Sequence, residues 1–227
     1  MAKKLALVFG GSRGIGAACV EALAKDFDVA FTSVSGSAGH RVDVRNAEEV
    51  KGAFDAAEKQ YGRKVDCVVA NAGIGVPPGP IAQYDVEDFR KLVEVNLVGA
   101  FNVLREAGQR VADGGSIVAI TTSMVRHAVP GFGPYAGTKA AVEVMLRSMA
   151  KEIAPRGVRV NAVAPGPVDT DLFRAGKTDE AKQRSAALSP FNRIGTPKEV
   201  AEVVAFLASE KASWVHGQIV QPNGGMV

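Results

Sequence analysis

Short apolar runs alternate with longer amphipathic segments along almost the whole chain, and that alternation leaves few folds open. KLALVFG, DVAFTSV, HRVDV, VDCVVANAG, GSIVAITTS, GVRVNAVAPG and GQIVQPNGG read as strands. GIGAACVEALAKDF, NAEEVKGAFDAAEKQYG, the long DVEDFRKLVEVNLVGAFNVLREAGQRV, the run from Gly133 to about Pro155 and PKEVAEVVAFLAS read as helices. Asn46 is placed to cap the second helix, and Pro197 suits the first turn of the last. Strands that are short and apolar on both faces are strands covered by helices on each side. The chain is therefore read as α/β, a doubly wound parallel sheet of about seven strands. No repeat and no break in composition divides it, so residues 1–227 read as one domain.

One connection departs from the pattern. Between Val34 and His40 there is only SGSAG. A right-handed parallel crossover normally takes a dozen or more residues and a helix. The expectation is a shortened loop joining strands two and three.

Composition narrows the function classes. With 47% hydrophobic and 22% charged residues the chain can build an ordinary core, which excludes disorder. A net charge of +3, with scattered basic residues, gives no nucleic-acid footprint. The N-terminal MAKKLALVFGG imitates a signal peptide, but its apolar run is short and meets glycines at once. No run reaches membrane-spanning length. Cys19 and Cys67 fall in helix and strand patterns and read as small buried hydrophobes in a reducing cytoplasm. His40, His127 and His216 show no metal spacing, so no metal is expected.

The first turn carries the first functional signal. FGGSRGIG lies between a strand and a helix, where a doubly wound fold binds dinucleotide phosphates on backbone amides. The expected contacts are Gly10, Gly11, Ser12, Arg13, Gly14, Ile15 and Gly16. An NAD site would place an acid at the end of the second strand, and FTSVSGS has none. Arg13 could instead meet a 2′-phosphate, with hydrogen bonds from Ser33 and Ser35, so NADP(H) is favoured over NAD(H).

A second signal is GPYAGTKAA, which stacks Tyr135 and Lys139 on one helix face. An ammonium beside a phenol stabilises phenolate and lowers the tyrosine pKa toward use in proton transfer.

Taken in order, FGGSRGIG, NAG at 71–73, Asn96 in VEVNLVGAF, Tyr135 with Lys139, APGPVDT at 164–170, RIGTPKEVAEVVAFLAS and GQIVQPNGG resemble the short-chain dehydrogenases/reductases, whose sheet is Rossmann-like. The chain is most similar to the 3-oxoacyl-(acyl carrier protein) reductase-like members, although Phe9 stands where the family usually has threonine. The resemblance implies an NADP(H)-dependent oxidoreductase interconverting a ketone and a secondary alcohol. It implies Asn96, a strand-end hydroxyl, Tyr135 and Lys139 as catalytic residues, with Tyr135 the general acid. Thr122 stands thirteen residues before Tyr135, the family's usual gap, and Ser123 twelve. Ser123 precedes the apolar residue that commonly follows the family's serine and is the first choice, with Thr122 open. Asn96 could be a buried amide bonded to backbone or hold a water for a relay to Lys139. Tyr135 and Lys139 would also touch cofactor. Asp43 and Val44 would flank its adenine. Asn71, Ala72 and Gly73 would line it or shape a turn. Pro165, Gly166, Val168 and Thr170 would meet its nicotinamide half. The resemblance also implies a homotetramer acting on a small-molecule or acyl-thioester carbonyl.

Two segments border the expected substrate. Met124, His127 and Phe132 are pocket candidates or plain loop residues. The polar stretch 171–195 reads as a lid, with Arg174, Lys177, Lys182, Arg184 and Arg193 either solvated or offered to an acidic carrier.

Overall fold

The structure is a computed structural model that describes residues 3–36 and 38–227. Met1, Ala2 and Ser37, which belong to the N-terminal run and to the short connection, lie outside the described residues. The strands are β1 (Lys4–Phe9), β2 (Phe27–Ser33), β3 (His40–Arg41), β4 (Cys67–Ala70), β5 (Ser116–Ile120), β6 (Arg159–Val163) and β7 (Ile219–Val220). They form a parallel sheet in the order β3-β2-β1-β4-β5-β6-β7. The order reverses between β1 and β4, and the crevice at that switch point is where such a sheet binds ligands.

The two-residue period of β1 divides the core. Leu5, Leu7 and Phe9 face one layer and Ala6 and Val8 the other, and all five are fully buried. The first layer holds α2 (Ala47–Tyr61), α4 (Gly99–Arg110) and α6 (Gly133–Ile153); the second holds α1 (Gly14–Leu23) and α9 (Pro197–Ala208). Each large side chain buried this way contributes roughly 1.5–3 kcal/mol. Phe9 meets the ring of Phe54 at 5.9 Å, which explains an aromatic at that position.

Local signals behave as read. Asn46 accepts from the amides of Glu48 and Glu49, and Gly62 ends α2 at φ +66°. Thr196 and Glu199 form a capping box on α9. Arg159, buried in β6, donates to the carbonyls of Leu207, Ala208 and Ala212 and so closes the C-terminal end of α9.

Three expectations change in detail. The strand HRVDV is only His40–Arg41, because the chain turns once Asn46 N–H reaches the carbonyl of Asp43. The expected long helix is α3 (Val86–Leu92) and α4 joined by a π-helical stretch, Val93–Val98. The stretch 171–195 contains two short helices, α7 (Asp171–Arg174) and α8 (Asp179–Ala186), capped by Thr170 and Thr178. The connection Val34–Gly39 contains no helix among its described residues, as its length requires.

Candidate active site

The cleft above β1 and β4 is built from three loops. The glycine loop turns at Gly10 (φ +78°) and Gly14 (φ +54°). A Cβ at Gly16 would lie 2.0 Å from the carbonyl oxygen of Gly10, so the first turn of α1 packs directly on the loop. Asn71 fastens the same carbonyl with its side-chain amide at 2.8 Å. Asn71 is thus a brace for the turn. No side chain caps α1, and no acid stands in its first turn. Its amides and dipole therefore suit an anion, and the loop fits a dinucleotide diphosphate. Ser12 and Arg13 are exposed at the rim, and Ile15 is partly buried. Opposite, Thr170 lies 3.3 Å from where a Gly14 side chain would begin, and Leu172 of α7 stands equally close to Gly75.

The second wall carries Tyr135, Lys139 and Asn96. Tyr135 and Lys139 share one face of α6, as their spacing requires. Lys139 is buried, and its ammonium donates to the carbonyl of Ile120 at 3.1 Å. Among the described residues, two of its three donors remain unused. A Cβ at Gly73 would lie 3.1 Å from Asn96 Oδ1 and 3.3 Å from Lys139 Nζ, so these two meet across a glycine. Asn96 sits in the π-helical stretch and is fully buried. Its amide accepts from Ile74 N–H (2.8 Å) and donates to Ile74 carbonyl (3.0 Å). Of the two readings, the side chain is the backbone-bonded amide. The Tyr135 hydroxyl makes no hydrogen bond to any described residue.

Burial decides the protonation of this pair. It pushes the Tyr135 hydroxyl up to about 12 and the Lys139 ammonium down to about 8. The expected lowering of the tyrosine by its lysine neighbour is absent: burial is the cause of both shifts.

The strand-end hydroxyls are also sorted by geometry. Thr121 donates to Glu143 Oε1 at 2.9 Å. Ser123 is wholly buried; it donates to the carbonyl of Ala164 (2.7 Å) and accepts from Asn223 Nδ2 (3.2 Å). Thr122 only accepts, from Met124 N–H at 3.3 Å, so its O–H is left to donate. Ser123, the first choice, is thus engaged by protein groups as donor and as acceptor, whereas Thr122, the alternative, is engaged only as acceptor. Ser123 already has helical backbone angles (φ −62°, ψ −15°), as the residue that leads into the short helix α5 (Met124–His127).

Other expected contacts divide. Pro165, Gly166, Val168 and Thr170 follow β6; Thr170 faces the glycine loop, while Val168 is buried in the second core layer and bridges to Gly195. Gly166 has no room for a side chain, since a Cβ would lie 2.9 Å from Asn223 Cα. Ala72 lines a small cavity with Lys139, Val44 and Gly99. Val44 itself is a core residue against Gly99, and its carbonyl accepts from Asn102. Asp43 is held by the guanidinium of Arg45, which keeps its carboxyl below the usual range. Ser33 is buried, donates to Ala38 carbonyl (2.8 Å) and accepts from Gly36 N–H (3.1 Å). Ser35 is exposed in the same loop. Arg41, which the sequence reading passed over, is exposed, lies with its stem on Gly36 and, like Arg13, makes no ion pair among the described residues. Its register with Ser33 turns it to the α1 side of the sheet, the side from which Arg13 enters. The unusually short connection before it was the available signal.

Met124 lines an open groove of about 420 Å³ with Ile81, Val129 and Ala140; Tyr135, His127 and Phe132 are not among its walls. In the 171–195 stretch, Arg174 pairs with Asp169, Lys182 with Asp179 and Arg193 with Glu199, and Lys177 lies 4.3 Å over the Phe173 ring. Arg184 lies near Glu180, four residues before it on α8, whose carboxyl it helps to hold below the usual range.

A family model described as enoyl-(acyl carrier protein) reductase matches residues 10–227. The chain belongs to the short-chain dehydrogenase/reductase family. It is 39% identical to an NADPH-dependent aldehyde reductase-like protein, chloroplastic, of Arabidopsis thaliana, over all of this chain and 95% of that one. It is 38% identical to the 3-oxoacyl-[acyl-carrier-protein] reductase MabA of Mycobacterium tuberculosis, covering 97% of this chain and 91% of that one. Among solved structures it resembles a blue fluorescent protein from a metagenomic library in complex with NADPH, with a TM-score of 0.89 and 32% identity over 100% and 98% of the two chains. A dehydrogenase/reductase from Sinorhizobium meliloti matches with a TM-score of 0.88 and 31% identity over 100% and 96%. Membership of the short-chain dehydrogenase/reductase family makes this chain an NAD(P)-dependent oxidoreductase. None of its helices, among the described residues, is long and apolar enough to cross a membrane.

Proposed function

We propose that the enzyme is an NADP(H)-dependent carbonyl or 3-oxoacyl reductase, interconverting a ketone and a secondary alcohol. The observation that carries this reading is the buried Lys139 ammonium, with two unused donors, on the same helix face as an unbonded Tyr135 hydroxyl. When bound, a nicotinamide supplies the hydride. Tyr135 gives its proton to the carbonyl oxygen as that oxygen gains charge. A hydroxyl held near 12 keeps its proton across neutral pH and so enters as an acid. Thr122 donates a second hydrogen bond to the same oxygen. Lys139 stabilises the phenolate that remains and holds a ribose with its unused donors. Asn96 acts indirectly, by fixing the Ile74 backbone beneath Gly73.

Gly10, Gly11, Ser12, Gly14, Ile15 and Gly16 surround the diphosphate; Arg13 and Arg41, with Ser35, meet the 2′-phosphate; Asp43 borders the adenine. Pro165, Gly166, Val168 and Thr170 meet the nicotinamide half, and 171–195 closes as a lid. Most of the lid's basic residues are paired locally, which favours a small or thioester carbonyl over recognition of an acidic carrier by the lid. Relatives named as an aldehyde reductase and a 3-oxoacyl reductase support the same class. A cytoplasmic homotetramer fits the exposed Val86, Phe89, Phe101 and Val144 on α3, α4 and α6, and the exposed Phe206 and Trp214 near the C-terminus.

The test is titration with NADPH and NADH by nicotinamide fluorescence, then turnover on β-ketoacyl thioesters and simple diketones, for wild type, Thr122→Val and Ser123→Ala. Tighter NADPH binding and a loss of about 10²-fold or more in kcat for Thr122→Val, with a smaller loss for Ser123→Ala, are expected. Equal or tighter NADH binding, or a larger loss for Ser123→Ala, refutes the corresponding part.

A further inference from the structure

Ser123 joins three segments through one residue. Its N–H donates to Pro165 carbonyl at 2.9 Å, its hydroxyl donates to Ala164 carbonyl at 2.7 Å, and Asn223 Nδ2 donates to the hydroxyl at 3.2 Å. Asn223 is fixed from its other end, since its Oδ1 accepts from Gly225 N–H (2.9 Å) and Met226 N–H (3.2 Å). The amide can therefore present only its nitrogen to Ser123. The next carbonyl, Gly224, accepts from Ser189 Oγ at 2.7 Å, and that oxygen accepts from Phe191 N–H at 3.1 Å. Gly166 N–H reaches Pro222 carbonyl at 3.2 Å, and the missing Cβ of Gly166 lets Asn223 lie against it. Ser123, Ser189 and Asn223 are all buried.

The chain of bonds runs from the return of the 171–195 stretch (Ser189), through the C-terminal tail (Gly224, Asn223), to the β5 end beside Thr122 and the loop at Ala164–Gly166. A buried hydroxyl that donates to one fixed partner and accepts from another has a single orientation, and removing the donor leaves its acceptor side unpaired. We infer that Asn223 is a positioning residue: through Ser123 it sets the β5 hydroxyl turn against the loop after β6, and through Gly224 it ties both to the stretch 171–195. The inference rests on the reading of the cleft given above. Asn223 touches no reacting atom; it acts by placing groups that do.

Asn223→Asp separates this role from a general one. The carboxylate still accepts from Gly225 and Met226 and keeps the tail turn, but it cannot donate to Ser123. The expected result is a kcat reduced about tenfold and a melting temperature lowered by a few degrees, with the carbonyl KM and the NADPH Kd little changed, because misplacing a reacting group affects rate more than binding while the unpaired hydroxyl costs stability. Ser123→Ala combined with Asn223→Asp should be no worse than the poorer single variant, since both cut one bond. A kcat within twofold of wild type, or losses that multiply in the double variant, overturns the inference. Amide hydrogen exchange needs no substrate: Asn223→Asp should speed exchange at Ser123 and Phe191. Unchanged exchange at both positions overturns the inference even if the enzyme acts on no carbonyl tested, whereas altered exchange without carbonyl turnover counts against the proposed reaction alone.

Discussion

Tyr135→Phe removes one oxygen and should separate activity from stability. The hydroxyl has no hydrogen-bond partner among the described residues, while burial holds it far from ionisation. Deleting it strands no donor or acceptor. A polar group taken from water without a partner costs about 1–3 kcal/mol, so its loss is expected to leave stability unchanged or to raise it by up to about 1 kcal/mol. The ring keeps its packing on α6. Catalysis loses its proton donor, which is worth about 10²–10⁴ in rate. The assays are NADPH oxidation with a β-ketoacyl thioester, NADPH binding by fluorescence, and urea unfolding on the same preparations. Turnover within tenfold of wild type would refute the proton-donor role. A destabilisation above about 2 kcal/mol would refute the claim that the hydroxyl is unpartnered.

Lys139→Met tests the buried ammonium by linkage. Its pKa falls from 10.5 to about 8 in the folded state, so below pH 8 both states are charged and the cost of burial is fully present. Between pH 8 and 10.5 the unfolded chain holds more protons, and the lysine's contribution to stability must rise with pH. Urea unfolding at pH 7.5 and 10 should show wild type gaining on the methionine variant; a constant difference would contradict the buried charge. Arg13→Ala and Arg41→Ala should each weaken NADPH binding about tenfold or more and leave NADH binding nearly unchanged, read by fluorescence titration at fixed salt. Arg159→Met should lower stability by about 1–3 kcal/mol, measured in urea, because it leaves the carbonyls of Leu207, Ala208 and Ala212 without their donor while relieving the burial of a charge. A loss below 1 kcal/mol would show that water or a shift of α9 replaces it.

The sheet and most helices were legible because their signals are local. Asn46 caps where it stands, and alternation along β1 assigns each side chain to a layer. The Tyr135–Lys139 pair was legible for the same reason, a fixed helical spacing. What stayed hidden depends on contacts distant in sequence. Ser123 and Thr122 are chemically alike, and only Ala164 and Asn223 show which one the protein engages as donor and as acceptor. Ser33 reads as a strand-end hydroxyl offered to a 2′-phosphate, and only the turn through Gly36 and Ala38 shows that the protein itself engages it. The π-helical stretch leaves no mark in composition; the asparagine inside it was the one hint. The direction of the Tyr135 shift was misread because adjacency to lysine is visible in sequence and desolvation is not.

Trp214 is the chain's single tryptophan and is 97% exposed. Its emission therefore reports water at that surface, and folding of the cofactor cleft should barely move it. If copies associate through the C-terminal region, the spectrum shifts to the blue on assembly, and a dilution series read at one wavelength follows the oligomer without any label. The same indole, so far from the glycine loop in sequence and so exposed, leaves nicotinamide fluorescence as the cleaner signal of binding, and the two processes can be watched separately in one cuvette.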